Sequence, residues 1–553
     1  IVGNPPYSGG QESANDNNQN IAYPALDERI SKSYLKDSFK GGKRSLYDSY
    51  IRSIRWASDR LTSDGVIGFV CGSGFLEKPV MDGVRMSLAS EFTSIYVLNL
   101  RGDIRKDMLS GGAAREGENI FGSASMTGIA IALFVRNTSR TGPARIFVRN
   151  IGDDLNRNQK LKSLVDMKTV GSVSGFLEWP EVVPDVHGDW VNQRKADFEK
   201  YIAIGSKFGA TVPTIFANYS LGVSTNRDAW CYNASSAIAL ESVSRMIEFF
   251  NSEQRRYEVS ETGEAKNVDE FINNDKKQIS WSLGLKKRLV NRKPIRFSAT
   301  NLTGSLYRPF FRQWTYFSRD INEIVGQTPR LFPDDETGNI AICVTGVGAR
   351  SGFSALVTCW LPNLHTLDSG QCFPLYLYDE HDTSEPENAQ SGLFASIAPS
   401  AHVRRDAITD AGLAHFRSAY PDETITKEDL FYYVYGLLHS PDYRERYADN
   451  LSKELPRIPR VKAATDFWAF SKAGRELAEL HLNYETVAMY EAVSLVGAGG
   501  KSFDYAALCS GRTVSGLTDA DYRVEKMKYG KRGRDKDLTT LIYNAKITVT
   551  GIP

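Results

Sequence analysis

Cysteine is sparse and scattered in this chain. Its six residues, Cys71, Cys231, Cys343, Cys359, Cys372 and Cys509, form no C-x-x-C pair, which excludes a cysteine-based zinc site and a disulfide framework and points to reduced thiols. Histidine is equally thin: seven residues, none at metal-ligand spacing with a cysteine or another histidine, so no metal site is expected. No apolar run reaches the roughly 18 residues of a membrane span. The first residues also lack the basic and apolar regions of a secretory signal. A cytoplasmic setting without a membrane partner is the expectation. An excess of either charge is missing too. Lys and Arg total 67 against 66 Asp and Glu, so any nucleic-acid surface must come from local clusters. Self-similarity at a fixed period is absent, which excludes repeat arrays.

What is present is a long, ordinary globular composition. At 553 residues, 41% hydrophobic and 24% charged, the chain is too large for one core and should divide into two to four domains. Apolar residues at Tyr50, Ile51, Ile54, Ala57 and Leu61 predict a helix that ends at Ser63-Asp64-Gly65, then the strand "VIGFVCG". A helix over Met81 to Ser90, the strands "SIYVLNL" and "TGIAIALFV" around a Gly-rich loop, and the strand "ARIFVRNIG" continue an α/β alternation. Turns containing proline break the rhythm over 171–214, which reads as a linker closing off a 1–170 domain. Residues 215–425 look β-rich with a helical island near Ile238 to Asn251, residues 426–500 helical, and residues 501–553 a β-rich extension.

The chain begins "IVGNPPY". Two consecutive prolines fix φ and remove two N–H donors, so the backbone leaves a strand edge in one direction with free carbonyls. An amine conjugated to an aromatic ring is a poor nucleophile. Accepting both its hydrogens, at the Asn4 side-chain oxygen and the Pro5 carbonyl, frees the lone pair, while Pro6 sets the turn and Tyr7 stacks on the planar substrate. The bland alternative is a proline-rich strand exit without chemistry.

With the downstream helix and strands, the motif resembles that of the amino-group methyltransferases acting on adenine in DNA. "STNRDAWCYN", "LYRPFFRQWTYF", "YGLLHSPDYRERYADNLSKELPRIP" and "LIYNAKITVTGIP" extend the likeness across about residues 215–553. Together these blocks look like the methyltransferase and target-recognition portion of the single-polypeptide, translocating restriction-modification enzymes called type ISP. One departure is Phe311, where that family tends to carry Asp after "YRPF". The resemblance implies an α/β fold: the C-terminal half of a class I, Rossmann-like methyltransferase sheet, then a mixed α+β target-recognition domain with a helical segment. It implies S-adenosyl-L-methionine as cofactor, held by an F-x-G-x-G loop expected upstream of Ile1. It implies double-stranded DNA with an asymmetric site as partner, upstream translocase and nuclease domains in the same polypeptide, and a monomer; the fragment alone is expected to be inactive. Rival readings are a catalytically incomplete, sequence-specific DNA-binding module and a protein-glutamine methyltransferase, which shares the NPPY motif.

Two basic clusters are candidate phosphate contacts: Lys286, Lys287, Arg288, Arg292, Lys293 and Arg296 with Arg308 and Arg312 among aromatics, and Lys528, Lys531, Arg532 and Arg534 near the end. Solvated charged faces are the alternative for each. Methylating a base in a duplex requires flipping it out, and Phe121 stands where a second aromatic would line the pocket, although a core role is equally open. Residues 8–45, rich in Gly, Asn and Ser, read as a long loop that orders on DNA. "FVCGSGFL" mimics a methyl-donor loop, "TGVGARSG" reads as a bend in a β-rich domain, and "GAGGKS" lacks the glycine a P-loop needs at Leu495.

Overall fold

Alternation of apolar side chains along four long strands builds the first sheet and covers both its faces. Its strands are β1 (Val2–Gly3), β2 (Gly65–Gly72), β3 (Ser94–Arg101), β4 (Ile129–Arg136), β5 (Arg145–Asn150) and β6 (Glu181–Val182), in the order β1-β2-β4-β3-β5-β6. β1 runs parallel to β2 and β3 parallel to β5, whereas β4 is antiparallel to both its neighbours and β6 to β5. Ile67, Phe69, Cys71, Ile95, Val97, Ala132, Phe134 and Ile146 point to one face. There they meet Ile30, Tyr34, Ile51, Ile54, Val84 and Leu88 from the helices Pro24–Tyr34, Ser49–Arg60 and Asp82–Glu91. Tyr96, Leu98, Leu100, Ile131 and Phe147 point to the other, against Ile120, Trp179 and the helix Arg157–Met167. The result is a three-layer α/β arrangement.

The computed structural model describes residues 1–6, 23–36, 38, 44–109, 114–122, 125–168, 179–206, 212–259, 268–334, 337–349, 351–380, 402–488, 490–497, 523–524, 526–533 and 535–553. Within the span read as a loop, the helix Pro24–Tyr34 corrects that expectation. Pro24 starts it with a φ already helical, Ile30 and Tyr34 bury one narrow stripe, and Asp27 pairs with Arg52 through two bonds of 2.7 and 2.8 Å. So narrow a stripe is invisible in a polar composition. A Cβ on Gly83 would lie 1.8 Å from the Tyr34 carbonyl oxygen, so only glycine lets these two helices touch.

Residues Ile1–Leu482 form one unit and Asn483–Pro553 another. The remainder of the first unit is a mixed body of several small sheets. Arg457–Ile458, Ile202–Gly205 and Thr214–Phe216 form one, and Ala355–Thr358, Ala341–Val344, Gln371–Pro374 and Ser220–Leu221 a second. A third runs Tyr232–Asn233, Phe311–Tyr316, Leu302–Arg308 and Leu361–Pro362; Tyr376–Glu380 and His402–Asp406 pair as a ribbon. The helices Lys427–Leu438 and Ala464–Leu482 share the largest core with the first two sheets. They cross at Gly436 and Gly474, where added Cβ atoms would lie 2.3 Å from the Phe470 and 2.0 Å from the Tyr432 carbonyl oxygens. The helix Ser236–Val259, of which the helical island was the visible centre, packs with Leu283–Val290 in a separate cluster.

The second unit is a four-stranded antiparallel sheet of Ser494–Gly497, Ile547–Thr550, Asp535–Ile542 and Lys528–Arg532, with Leu495 and Ile547 buried. Among the described residues no helix is long and apolar enough to cross a membrane, and no cluster of His, Cys, Asp and Glu could hold a metal ion.

Candidate functional site

β1 and β2 end on the same side of the sheet, and the antiparallel β4 begins there. Asn4-Pro5-Pro6 leaves β1 at this rim, with Asn4 and Pro6 exposed and Pro5 buried; Tyr7 lies outside the described residues. The loop after β2 is closed onto the start of β4, since the Ser73 N–H donates to the Gly128 carbonyl at 2.8 Å. A Cβ on Gly128 would meet the Ser73 Oγ at 2.5 Å, so a larger residue there would require that hydroxyl to move. Gly72–Gly74 joins this contact to the short helix Gly74–Glu77.

Asn119 organises the other half of the rim. It is 1% exposed, donates through Nδ2 to the Gly102 carbonyl at 2.9 Å and the Thr127 carbonyl at 2.8 Å, and accepts from the Phe121 N–H at 3.0 Å. Phe121 is held at the rim with 39% of its surface exposed. The Lys106 ammonium bridges Glu77 at 2.6 Å and Glu116 at 3.4 Å. Burial pulls it down, but the two carboxylates outweigh that and leave it above the ordinary lysine range. Lys160, fully buried, donates to the Glu116 and Glu118 carbonyls at 3.0 and 2.7 Å, and its burial lowers its pKa. Of these, Asn119, Lys106, Glu77, Glu116 and Lys160 were not singled out in the sequence. The Gly-rich loop signalled irregular backbone, but not which polar side chains would satisfy it.

The first basic cluster surrounds the helix Leu283–Val290. Lys286 is paired with Asp269, and Arg288 donates to Asp320 at 2.7 Å and to the Pro294 carbonyl at 2.8 Å. Lys287, Arg292, Lys293 and Arg296 are exposed. Arg308 donates to the Tyr307 carbonyl at 2.6 Å and to Asn363 at 3.2 Å, and exposed Arg312 lies 4.8 Å from the Trp360 ring centre. In the second unit Lys528, Lys531 and Arg532 are exposed on one edge strand, Arg532 within 3.3 Å of Asp537. Arg534 lies outside the described residues.

Between the first sheet and the mixed body sits a buried charge hub that sequence reading also passed over. Asp189, 1% exposed, binds Arg85 at 2.7 Å, Arg194 at 3.1 Å and Lys453 at 2.9 Å. Arg85 further donates to the Gly188, Phe75 and Lys78 carbonyls, and Lys453 to those of Val191 and Asn192. Burial lowers both the Arg85 and the Lys453 pKa against the pull of Asp189. Asn450 adds a two-way bond with the Lys195 backbone.

The described residues thus form a mixed α/β protein whose first sheet carries Asn-Pro-Pro at its rim and whose larger body carries exposed cations. The family model described as the type ISP C-terminal specificity domain matches residues 214–553. The chain belongs to the type ISP restriction-modification family. Three solved structures align with all of it. A nuclease-deletion mutant of the type ISP restriction-modification enzyme LlaGI, in complex with a DNA substrate mimic, shares 35% identity at a TM-score of 0.81. The ATP-dependent type ISP enzyme LlaBIII bound to DNA shares 32% at 0.80, and the DrdV–DNA complex 29% at 0.81. The chain spans 46%, 33% and 50% of those chains respectively, so less than two thirds of each. No curated protein matches.

Proposed function

We propose that this chain is the methylating and site-selecting part of a type ISP enzyme, transferring a methyl group to the exocyclic N6 of an adenine flipped out of duplex DNA. The observation that carries the reading is Asn4-Pro5-Pro6 at the carboxyl end of β1, in a sheet ordered β1-β2-β4-β3 with only β4 reversed. That order agrees with the C-terminal half of a class I methyltransferase sheet, where the strand bearing the motif is followed by a parallel neighbour and then a reversed strand. S-adenosylmethionine supplies the methyl group. The Asn4 side-chain oxygen and the Pro5 carbonyl would accept the two amine hydrogens and free the nitrogen lone pair for the methyl group that S-adenosylmethionine would supply, after which the nitrogen would give up one proton. Tyr7 stacks on the base and Phe121 lines the same rim. Extruding the base costs a few kcal/mol, which stacking at the rim offsets.

In this reading residues 214–553 select an asymmetric site on double-stranded DNA. The exposed Lys287, Arg292, Lys293 and Arg296 suit phosphate contacts better than Lys286, Arg288 and Arg308, which are already engaged within the chain. The likeness to DNA-bound relatives supports the partner, and translocase and nuclease domains in the same polypeptide complete the proposal.

The test is Asn4→Ala in the full-length protein, read by transfer of a labelled methyl group to a duplex pool. Methyl transfer should fall by about 10²–10³-fold, the loss seen when one polarising contact is removed, with DNA affinity within about threefold. Wild-type binding without any methyl transfer would leave a recognition module only. Methylation of peptide glutamine in place of DNA would favour the protein-modifying rival.

A further inference from the structure

The helix Leu283–Val290 stops at a residue that stability alone would not choose. Its C-cap is Asn291, and Arg292 follows with φ 53, a left-handed backbone that glycine takes freely and a residue with a Cβ takes at a cost. The Arg292 N–H donates to the Leu289 carbonyl at 3.0 Å and the Lys293 N–H to the Arg288 carbonyl at 3.1 Å. These are the paired bonds of a Schellman stop, whose left-handed position usually carries glycine. Here that position presents an exposed guanidinium. Strain of this kind concentrates at functional sites.

The backbone beyond the stop is pinned as well. Arg288 donates to the Pro294 carbonyl at 2.8 Å. Asn251, on the helix Ser236–Val259, grips the next residue from both sides: its Oδ1 accepts the Ile295 N–H at 3.0 Å, and its Nδ2 donates to the Ile295 carbonyl at 2.9 Å. The Ile295 side chain is buried with Phe250, Leu285 and Leu289, and the Phe297 ring stacks on Tyr316 at 5.8 Å. The cations between these anchors are left open. Arg292, Lys293 and Arg296 are exposed, and none has an ion-pair partner among the described residues. Fixed backbone carrying unanswered charge can meet an anion without a loop-ordering cost at the moment of contact.

We propose that residues 291–297 form a preformed hook for the DNA phosphate backbone, and that Asn251 is the residue that positions it. Three cations on one short, fixed turn suit a line of phosphates, and phosphate contacts set the register of a protein on a duplex. Asn251 touches no DNA in this arrangement. It acts through Ile295, holding the turn so that Arg292 and Arg296 stand on either side of the anchored residue. Arg292 stays at a strained position because glycine there would remove the charge that makes the contact. This role for the turn rests on DNA recognition by residues 214–553 and goes beyond it by naming the residue that fixes the contact.

In the experiment the full-length wild-type protein selects a duplex from a random-sequence pool. Affinity for that duplex is then measured against salt for wild type, Asn251→Ala, Arg292→Gly and the double variant, each with its thermal midpoint. Arg292→Gly should raise the midpoint, since the left-handed strain is relieved, yet weaken binding and lower the slope of log affinity against log salt by about 0.9. A merely structural role would move stability and binding together. Asn251→Ala should weaken binding by about tenfold with the salt slope unchanged, because the charges remain but the turn must order on contact. In that background Arg292→Gly should cost less affinity than in wild type. If Asn251→Ala does not fold, the opposite signs expected of Arg292→Gly still decide whether the hook exists. Wild-type affinity and slope in Arg292→Gly overturn the hook, and wild-type affinity in folded Asn251→Ala overturns the positioning role. A wild-type protein that enriches no duplex removes DNA recognition by residues 214–553, and the hook with it.

Discussion

At the scale of single residues, Asn119 shows how one side chain can hold a functional rim together. Replacing it with alanine takes one hydrogen bond each from the Gly102 and Thr127 carbonyls, which keep the Ile104 N–H and the Ser125 hydroxyl, and removes the acceptor of the Phe121 N–H. We expect a loss of about 0.5–1.5 kcal/mol in stability per hydrogen bond removed, measured by chemical denaturation. Methyl transfer should fall further than DNA binding, because the change falls beside Phe121. His439 gives a pH dependence. Burial, with help from Arg444 and His481, pushes its pKa down to about 4, so the folded state keeps it neutral. The unfolded chain takes up the proton near the ordinary value of about 6.5. Stability from this group is therefore complete above pH 6.5 and is lost as pH falls toward 4. His439→Phe should flatten the decline in thermal midpoint between pH 7 and pH 5 relative to wild type. The strand exit at Asn4-Pro5-Pro6 was legible from sequence because two prolines act locally; Asn119 was not, because its partners are fixed only once the rim folds.

At the scale of elements, the crossing of Lys427–Leu438 and Ala464–Leu482 separates two opposing effects. Helix propensity alone says that Gly474→Ala stabilises by about 1 kcal/mol. The 2.0 Å approach to the Tyr432 carbonyl says the opposite, since backbone must move, at a cost of about 1–3 kcal/mol or more. We expect packing to win and the urea midpoint to fall. Asp189 is a second case. Asp189→Asn leaves three cations around a neutral amide, and breaking a buried ion pair in this way costs about 3–5 kcal/mol. Limited proteolysis should then open the chain around residues 185–195. The four long strands of the first sheet and the helices 49–60, 82–91 and 464–482 could be read from apolar periodicity, because each buries a continuous face. The helix Pro24–Tyr34 and the hub could not. The first buries only a narrow stripe, and Arg85 and Asp189 stand 104 residues apart in the chain.

At the scale of the whole molecule, the near balance of charge makes the proposed DNA attraction a property of patches, and its dependence on salt would be the measure of them. Removing Lys287, Arg292, Lys293 or Arg296 singly should lower the slope of log affinity against log salt by about 0.9 each for a true phosphate contact. Lys286→Ala should change it less, since its charge is already answered by Asp269. The Asp189 hub also sets an order of assembly. Chains emerge from the ribosome amino end first, and domains tend to fold as they appear. All six strands of the first sheet precede Val191, yet the Lys453 that caps it comes 262 residues later. The sheet is thus finished long before its last cation arrives, and only a completed recognition body can lock it in place. A ribosome that stalls before Lys453 releases a first sheet whose joint to the mixed body is still open.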